Sequence, residues 1–241
     1  MRLSVIVPAF NEQAVIGETV TALRQQVLDP ALDEIVVVSD GSTDHTAAAA
    51  LKALGSFPGT VLEPSHGGKG SAVKAGVAAS RGDFVAYIDA DTEYPPSSLL
   101  PMLRKAARLG GLCVYRRSPD LRTGFEVLSS RAAARLIRSV LKVGCSDPQA
   151  GLKVLPGRFA RQVVPMLSSS GWLFDSELLT LAHEAGIPIV EHRGPQIPSR
   201  RRSARPLEMA RLLPELLRLR SELLKHTVRL DQGSHGGEAS A

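Results

Sequence analysis

The chain has 241 residues, 44% of them hydrophobic and 22% charged, with a formal net charge of +5. This composition is ordinary for a globular protein, and the length can bury the core of one large α/β domain with or without an appendage. No stretch reaches the roughly 18 uncharged apolar residues that a membrane-spanning helix requires, and residues 1–8 have no cleavage site like that of a signal peptide. Cys113 and Cys145 are far apart, which predicts buried thiols in a reducing cytoplasm rather than a disulfide or a zinc site.

The positive charge is confined to the C-terminal part of the chain. Residues 200–225 contain eight Lys or Arg and three Asp or Glu, so the remainder of the chain is formally neutral. A basic stretch of this kind predicts contact with an anionic membrane surface or with nucleic acid. Nucleic acid is the weaker interpretation, because only 4% of all residues are aromatic and none of them lies in the basic stretch.

Residues 206–230 form a predicted basic, amphipathic helical segment. Apolar side chains recur at helical spacing between residues 207 and 224, and Pro214 is expected to break the helix or to start a second one. Such a helix suits an interfacial membrane anchor. The alternative is that its leucines pack on the body of the protein or on a second subunit. Residues 231–241 contain no apolar pattern that could be buried, so a disordered tail is predicted there.

Four short apolar runs in the first half of the chain predict buried strands, at 3–7, 34–38, 60–62 and 84–88. Helical patterns follow at 12–26, at about 44–54 and at 71–80, and Ser42 or Thr43 is predicted to cap the second of these helices. Repeated strand–loop–helix units form a mostly parallel sheet with right-handed crossovers. In such sheets, ligands bind at the carboxyl ends of the strands.

The second half of the chain is less regular. Helices are predicted at 96–109, 126–143 and 159–167 and in a segment that ends near Gly186, and strands at 112–115 and 187–191. Residues 144–153 are typical of a polar turn that leads into another extended run. Arg116, Arg117 and Arg131 are candidates for binding a phosphate in a bidentate fork, the alternative being a solvated surface.

Acidic side chains follow three of the predicted strands. Asp89 and Asp91 come directly after the run 84–88, and residues two apart on an extended chain point the same way. Two carboxylates at a strand's carboxyl end suit Mg²⁺ or Mn²⁺, with phosphate oxygens completing the coordination shell; a solvated turn is the alternative. Glu12 and Asp40 follow the first and second strands, so the acids converge on one edge of the sheet. This convergence favours a binding site.

A glycine-rich loop, Gly67–Gly70, enters the predicted helix 71–80 and carries Lys69. Backbone N–H groups at a helix N-terminus bind phosphate, so the loop is a candidate phosphate site. The alternative is a flexible connection, since the loop matches neither of the common glycine-rich phosphate motifs.

Six segments, in order, resemble motifs of the family 2 glycosyltransferases of GT-A fold. They are 7–12, 40–44, 68–70, 89–91, 147–153 and 174–179. The resemblance covers roughly residues 3–205 and is closest to the polyprenyl-phosphate branch, the dolichyl-phosphate mannose and glucose synthases. It implies an α/β fold over residues 1–205, a GT-A (Rossmann-like) mostly parallel sheet flanked by helices.

The resemblance also implies roles for individual residues. The nucleotide sugar would be held by Pro8, Ala9, Phe10, Glu12, Asp40, Lys69, Asp89 and Ala90. The metal, Mg²⁺ or Mn²⁺, would be held by Asp89 and Asp91, with Glu93 as a third ligand. The catalytic group would comprise Asp147, Gln149, Lys153, Arg117 and Arg131. Phe10 stands where the family usually has Tyr and Ser39 where it usually has Asp, which leaves the donor base open.

Two parts of the resemblance have plain structural alternatives. Asp147 would orient sugar hydroxyls or the acceptor, or it would simply form an Asx-turn before Pro148. Asp175 and Glu177 would belong to the site, or they would cap the following helix.

The activity that the resemblance implies is an inverting, metal-dependent transfer of glucose or mannose from a UDP- or GDP-sugar to a polyprenyl or dolichyl phosphate. The enzyme would act at the inner, cytoplasmic face of the membrane as a peripheral protein. Two alternatives are a GT-A transferase with a hydroxyl acceptor and a non-catalytic, glycosyltransferase-like binding protein. A nucleotidyltransferase is disfavoured, because residues 8–12 lack the glycine- and arginine-rich pyrophosphate loop that such an enzyme needs after its first strand.

Overall fold

The computed structural model describes residues 1–26, 28–91, 93–118, 124–141, 144–171, 173–195, 197, 214 and 216–221. The strands are β1 (Leu3–Ala9), β2 (Glu34–Ser39), β3 (Gly59–Leu62), β4 (Phe84–Ile88), β5 (Leu112–Arg117), β6 (Leu152–Pro156) and β7 (Ile189–Gly194). The helices are α1 (Ile16–Gln26), α2 (Thr46–Leu54), α3 (Lys69–Ala79), α4 (Leu99–Leu109), α5 (Gly124–Leu141), α6 (Gly157–Val163) and α7 (Phe174–Glu184). Short 3₁₀ turns at Pro96–Ser98 and Val164–Met166 precede α4 and follow α6.

The strands form one sheet in the order β3-β2-β1-β4-β6-β5-β7. β1 is parallel to both β2 and β4, and β2 is parallel to β3. β6 is antiparallel to β4 and to β5, whereas β5 and β7 are parallel. All strands except β6 therefore run in one direction, which confirms the predicted mostly parallel α/β sheet flanked by helices.

The reversal of β6 determines which loops meet at the functional edge of the sheet. The carboxyl ends of β4 and β5 share that edge with the amino end of β6, because β6 runs against both neighbours. Ile88 pairs with Leu152, and the N–H of Asp89 donates to the carbonyl of Gly151 at 3.1 Å. The polar segment before β6 is therefore brought beside the two aspartates that follow β4.

The first strands are buried as their apolar sequences predict. β1 is buried along its whole length, and α3 packs on β1 and β2. At the centre of that contact, a β-carbon on Gly76 would overlap the side chain of Ile6, so the close approach of α3 to the sheet requires glycine. Complete burial of a side chain such as Ile6 contributes about 1.5–3 kcal/mol to the free energy of unfolding.

The predicted cap of the second helix is wrong. α2 begins at Thr46 with His45 as its N-cap residue; the His45 side chain makes no capping hydrogen bond, and the carboxylate of Asp44 accepts the N–H of Thr46 at 3.0 Å. Ser42 instead accepts a hydrogen bond from the N–H of Asn11, and Thr43 donates its N–H to the Asn11 side chain. Both residues are thus used to join the loops after β1 and β2 and are not available to the helix.

Part of the C-terminal segment belongs to the folded body. Residues 216–221 are helical, and Leu216 and Leu219 are buried members of the apolar core, whereas Leu217 is 52% exposed. Packing on the body is therefore confirmed for these two leucines. The rest of the predicted segment 206–230, apart from Pro214, and the predicted tail 231–241 lie outside the described residues. In the described part of the chain, no helix has the length and apolarity required to cross a membrane.

Candidate active site

A cavity of about 180 Å³ opens where β1, β2 and β4 end. Its walls come from the end of β1, the loops after β1 and β2, the glycine-rich loop before α3, the first turns of α3 and the residue after β4. The lining residues are Pro8, Ala9, Phe10, Asp40, His66, Gly68, Lys69, Ala72 and Asp89. The structure therefore brings together six of the eight residues predicted to hold a nucleotide sugar.

The other two predicted residues, Glu12 and Ala90, lie outside this lining. The N–H of Glu12 donates to the hydroxyl of Thr46 at 2.8 Å, which connects the loop between β1 and α1 to the start of α2. Ala90 is 3% exposed, and its carbonyl accepts a hydrogen bond from the hydroxyl of Thr19 at 2.8 Å. This bond connects the residue between the two aspartates to α1.

Phe10 and His66 form an aromatic pair at the cavity. Their ring centroids lie 4.4 Å apart at an interplanar angle of 32°, and 41% of Phe10 is exposed. Nδ1 of His66 lies 2.9 Å from Oδ2 of Asp40, which fixes the orientation of the imidazole. Exposed aromatic surface of this kind suits stacking on a nucleobase. Sequence reasoning did not select His66; the signal available was its position beside the glycine-rich loop, where the resembled family often has Asn.

Asp40 is almost fully buried and organises the glycine-rich loop. Its carboxylate accepts hydrogen bonds from the N–H groups of Gly67 and Gly68 at 2.9 and 2.8 Å. The N–H of Gly70 donates to the carbonyl of Ser170 at 2.7 Å. The prediction that the loop binds phosphate through its backbone is therefore wrong for these three N–H groups, because each already has a partner in the chain.

The loops after β1 and β2 are joined by hydrogen bonds around Asn11. Asn11 has φ = 55°, a left-handed conformation that Asn tolerates better than most residues. Its side-chain oxygen accepts the N–H of Thr43 at 2.8 Å, and its own N–H donates to the hydroxyl of Ser42 at 3.1 Å. The N–H of Gln13 donates to Asp44 at 3.2 Å. Phe10 and Asp40 thus lie on two loops that are joined by these hydrogen bonds.

The two aspartates after β4 have different surroundings. Oδ1 of Asp89 lies 2.9 Å from Nζ of Lys69. Asp91 is 8% exposed, and its Oδ1 accepts the N–H of Glu93 at 3.3 Å. Within the described residues, no three His, Cys, Asp or Glu side chains form a candidate metal cluster. This geometry does not support Glu93 as a third ligand, because its carboxylate contacts Arg117 at 2.8 Å.

Arg117, at the end of β5, joins two acidic residues from different loops. Its guanidinium lies 2.8 Å from Glu93 and 2.8 Å from Asp147, and its side chain is 8% exposed. Burial raises the pKa of the Glu93 carboxyl, and the nearby charges of Asp91 and Asp89 add to this effect, although Arg117 opposes it. Asp147 is thus held by an arginine at the functional edge.

A buried ionic network lies behind Lys69. Asp175, in the first turn of α7, accepts bonds at Oδ1 from the Lys153 ammonium (2.6 Å) and the Tyr87 hydroxyl (2.5 Å). Its Oδ2 lies 3.4 Å from Nζ of Lys69. Burial raises the pKa of the Asp175 carboxyl, but the charges of Lys153 and Lys69 outweigh burial, so the net pKa is lowered. The carboxylate is therefore ionised, and sequence reasoning did not foresee these partners.

The predicted catalytic residues Gln149 and Lys153 face α7. The Gln149 side-chain amide donates to the Ser176 hydroxyl at 2.7 Å. Lys153 is 0% exposed, so it does not reach the cavity surface. The side chain of Arg131 lies outside the described residues, although its backbone belongs to α5.

The helix-cap alternative for Asp175 and Glu177 is wrong. Leu173, and neither acidic residue, is the N-cap residue of α7, and it makes no side-chain capping hydrogen bond. Glu177 instead accepts the N–H groups of Ser168 and Ser169, both at 2.8 Å, and thereby shapes the segment before α7.

Comparison with known proteins gives several relatives whose names refer to sugar transfer with a polyprenyl phosphate. The chain is 32% identical over 221 residues to a dolichyl-phosphate beta-glucosyltransferase of Drosophila melanogaster, covering 79% of this chain and 65% of that protein. It is 28% identical over 210 residues to the Dictyostelium discoideum protein of the same name, covering 78% and 64%. The chain thus spans slightly less than two thirds of the length of these relatives.

Part of the chain is also similar to a bacterial transferase. Identity is 39% over 114 residues to an undecaprenyl-phosphate 4-deoxy-4-formamido-L-arabinose transferase of Sodalis glossinidius, covering 44% of this chain and 34% of that protein.

The fold resembles that of solved glycosyltransferases. One is glucosyl-3-phosphoglycerate synthase from Mycobacterium tuberculosis, whose structure contains Mn²⁺, UDP-glucose and phosphoglyceric acid. The TM-score is 0.72 at 24% identity, with 91% of this chain and 80% of that chain covered. This likeness confirms the predicted GT-A architecture.

The family assignment follows from a match over most of the chain. The family model described as "Glycosyl transferase family 2" matches residues 4–179, which include every residue that lines the cavity. The chain therefore belongs to glycosyl transferase family 2.

Proposed function

We propose that the protein transfers a hexose, with glucose as the first candidate, from a nucleotide sugar to a polyprenyl phosphate. One relationship carries this proposal. Phe10 and Asp40 line the same cavity as Lys69 and Asp89. An aromatic surface that suits a nucleobase and charged groups that suit a diphosphate therefore lie in one cavity. The similarity to dolichyl-phosphate glucosyltransferases supports glucose as the sugar and a lipid phosphate as the acceptor.

Asp89 and Asp91 fit a hard divalent cation, because carboxylate oxygens are the ligands that Mg²⁺ and Mn²⁺ prefer. The two residues are one alanine apart after β4, and Asp89 lies in the cavity lining. The described residues offer no third acidic or imidazole group for a metal site made by protein alone, so donor phosphate oxygens are the expected remaining ligands. When bound, the cation supplies positive charge to the leaving diphosphate.

Lys69 acts on the same diphosphate. Its side chain is 29% exposed, and its ammonium lies in the cavity beside Asp89. As the bond from the sugar to the β-phosphate breaks, negative charge grows on that phosphate, and a fixed ammonium stabilises it. Burial lowers the pKa of Lys69, but the carboxylates of Asp175 and Asp89 outweigh burial and raise it above its ordinary value. The Lys69 side chain is therefore a protonated ammonium near neutral pH.

The acceptor requires no strong general base. The second pKa of a phosphate monoester is about 6, so a polyprenyl phosphate is already a nucleophilic anion near neutral pH. Its attack on the face of the sugar opposite to the leaving diphosphate inverts the anomeric configuration. We infer that Asp147, held by Arg117, orients sugar hydroxyls or the acceptor rather than removing a proton.

Arg116 is the described arginine best suited to the acceptor phosphate. Its side chain is 37% exposed at the end of β5, and its guanidinium lies 3.3 Å from Glu191. Arg117 is much less exposed and lies between two carboxylates, so we assign it to positioning Asp147 and Glu93. Arg131 stays a proposed acceptor-binding residue.

The direct test of this function uses purified protein, Mg²⁺ and a polyprenyl phosphate, with UDP-glucose, GDP-mannose and other common donors compared in parallel. We expect a lipid-linked glucose product from UDP-glucose, with an anomeric configuration opposite to that of the donor by NMR. A small hydroxyl acceptor in place of the lipid distinguishes the hydroxyl-acceptor alternative. The absence of lipid-linked product from every donor would refute the proposal.

We propose that the basic C-terminal stretch brings the protein to the inner face of the membrane. Leu217 is 52% exposed on the described helix, and residues 200–225 carry the whole net charge of the chain. Co-sedimentation with vesicles tests this: binding to anionic vesicles should exceed binding to neutral ones and should fall with added salt. Changing Arg200, Arg201, Arg202 and Arg205 to Gln should weaken binding. Equal binding to both vesicle types contradicts the proposal.

A further inference from the structure

We propose that Asp175 is a positioning residue for the reaction: its carboxylate holds the ammonium of Lys69 beside Asp89, where the departing diphosphate must be stabilised. The inference rests on the proposed function for its catalytic consequence. It rests on the structure alone for the link between Asp175 and Lys69.

The geometry of Asp175 gives each carboxylate oxygen a separate partner. Oδ1 accepts from Lys153 and Tyr87, both fully buried, at 2.6 and 2.5 Å. Oδ2 lies 3.4 Å from Nζ of Lys69, which itself lies 2.9 Å from Asp89. Since Lys153 and Tyr87 occupy Oδ1, the carboxylate is oriented with Oδ2 towards Lys69.

The ring of Tyr87 lies under both ammonium groups. Nζ of Lys69 is 5.7 Å and Nζ of Lys153 is 5.5 Å from the ring centroid, distances at which a cation is attracted to an aromatic face. The two ammonium groups and the carboxylates of Asp89 and Asp175 together carry no net charge. The network therefore places a positive group at the cavity without leaving an uncompensated charge in the protein interior.

A second set of contacts ties the backbone of α3 to the segment that carries Asp175. The N–H of Gly70 donates to the carbonyl of Ser170 at 2.7 Å. A β-carbon on Gly70 would lie 2.7 Å from the ring of Phe174 and 2.8 Å from Ser170, so only glycine allows this approach. Both the backbone at Lys69 and its ammonium are thus located relative to the start of α7.

Other roles for Asp175 fit these contacts less well. A general base must accept a proton, whereas the lysines beside Asp175 keep its pKa low and both of its oxygens already have partners. A purely structural role as counter-ion of the buried Lys153 is the remaining alternative. That role explains the contact between Oδ1 and Lys153 but does not explain the contact between Oδ2 and Lys69.

A first experiment measures Lys69 without requiring any activity. Competitive acetylation at one pH followed by mass spectrometry gives the relative labelling rate of each lysine, with the exposed Lys52 as the reference in the same chain. We expect Lys69 to be labelled at least about tenfold more slowly than Lys52, because its contacts with two carboxylates must break before the amine reacts, and each ~1.4 kcal/mol of added barrier slows a reaction about tenfold. Equal labelling rates of the two lysines in the wild-type protein would overturn the proposal, even if no variant folds.

A second experiment separates positioning from charge compensation. Changing Asp175→Asn together with Lys153→Met removes one buried charge of each sign and leaves Lys69 paired with Asp89 alone. If Asp175 positions Lys69, the labelling rate of Lys69 should rise by at least about fivefold while that of Lys52 is unchanged, because one of the two carboxylates that hold its ammonium is gone. Unaltered labelling of Lys69 in the folded double variant would contradict the proposal.

Turnover then tests the catalytic consequence. We expect the double variant to lose about 10- to 100-fold in kcat, with the donor KM within about threefold of wild type, because the interaction is made with charge that grows in the transition state. In a Lys69→Met background the same two substitutions should cause no further loss. An equal loss in both backgrounds indicates a structural role and overturns the proposal. A wild type that is inactive with every donor refutes the proposed function, whereas the labelling result still decides the link to Lys69.

Discussion

A β-carbon added to Gly151 would overlap the carboxylate of Asp89. Gly151 ends the polar segment before β6, and its N–H donates to the hydroxyl of Tyr94 at 2.8 Å, so its backbone is not free to withdraw. Gly151→Ala should therefore displace Asp89 and lower kcat by about 10- to 100-fold, since small displacements of reacting groups cost up to about 100-fold in rate. The free energy of unfolding should fall by about 1–3 kcal/mol.

Steady-state kinetics and urea unfolding measure these two effects. The matched control is Gly17→Ala in α1, where an added β-carbon meets no atom within 4 Å. Full activity of Gly151→Ala would show that the position of Asp89 does not depend on this glycine.

Removal of the divalent cation should abolish turnover. With chelator present, we expect no product above background, and activity should return when Mg²⁺ or Mn²⁺ is added. Asp91→Asn should lower kcat by about 10²–10³-fold, because the leaving diphosphate loses electrostatic stabilisation. Glu63→Gln, at an exposed carboxylate after β3, should leave activity unchanged. Undiminished turnover in chelator would rule out the metal assignment.

The aromatic surface at Phe10 should set the affinity for the nucleotide. Phe10→Ala removes a stacking surface worth about 1–1.5 kcal/mol, so the Kd for UDP by calorimetry should rise about tenfold. His66→Asn keeps a hydrogen-bond donor for Asp40 but loses the ring contact at 4.4 Å, and we expect a smaller increase. Leu51→Ala, at a side chain 64% exposed on α2, is the control. Unchanged affinity in Phe10→Ala would place the base elsewhere.

The hydrogen bonds around Asn11 should keep the two nucleotide-binding loops together. Asn11→Ala puts an unsuited side chain at φ = 55° and removes the acceptor for the N–H of Thr43. We expect a loss of about 1–2 kcal/mol in stability and faster hydrogen exchange in residues 40–44. Asn11→Asp retains an acceptor oxygen and a residue that tolerates this conformation, so exchange there should stay slow. Equal exchange in both variants would contradict this role.

The two buried thiols should make stability fall at alkaline pH. Burial is the main cause that raises the pKa of Cys113 and of Cys145 from 9.0 to about 12. Between these values the unfolded thiol loses its proton while the folded thiol keeps it. Each thiol should therefore lower the free energy of unfolding by up to about 1.4 kcal/mol per pH unit as the pH rises.

Urea unfolding at about pH 8 and about pH 10 measures this slope. Cys113→Ala and Cys145→Ala should each make the decline shallower than in wild type, whatever their effect at neutral pH. An identical slope in wild type and both variants would show that the thiols do not titrate differently in the folded and unfolded states.

The sequence alone was sufficient to predict the order of strands and helices in the first half of the chain and the aspartates at the end of β4. These features follow from short-range patterns: apolar runs that bury on both faces of a sheet, and helical spacing of apolar side chains between them. The nearby prediction that Ser42 or Thr43 caps α2 failed, because their hydrogen-bonding groups are used by Asn11 from another loop.

The ion pairs of the candidate site were decided only by the tertiary structure. Asp175 meets Tyr87 across 88 residues of sequence, and Arg117 meets Asp147 across 30, with no local pattern linking them. Both contacts depend on the order of the sheet and on the reversed direction of β6, which brings the polar segment before β6 to the ends of β4 and β5. Local periodicity determines which residues form strands and helices, whereas the partner of a buried charge is set by the packing of distant elements, where desolvation makes each unpaired charge costly.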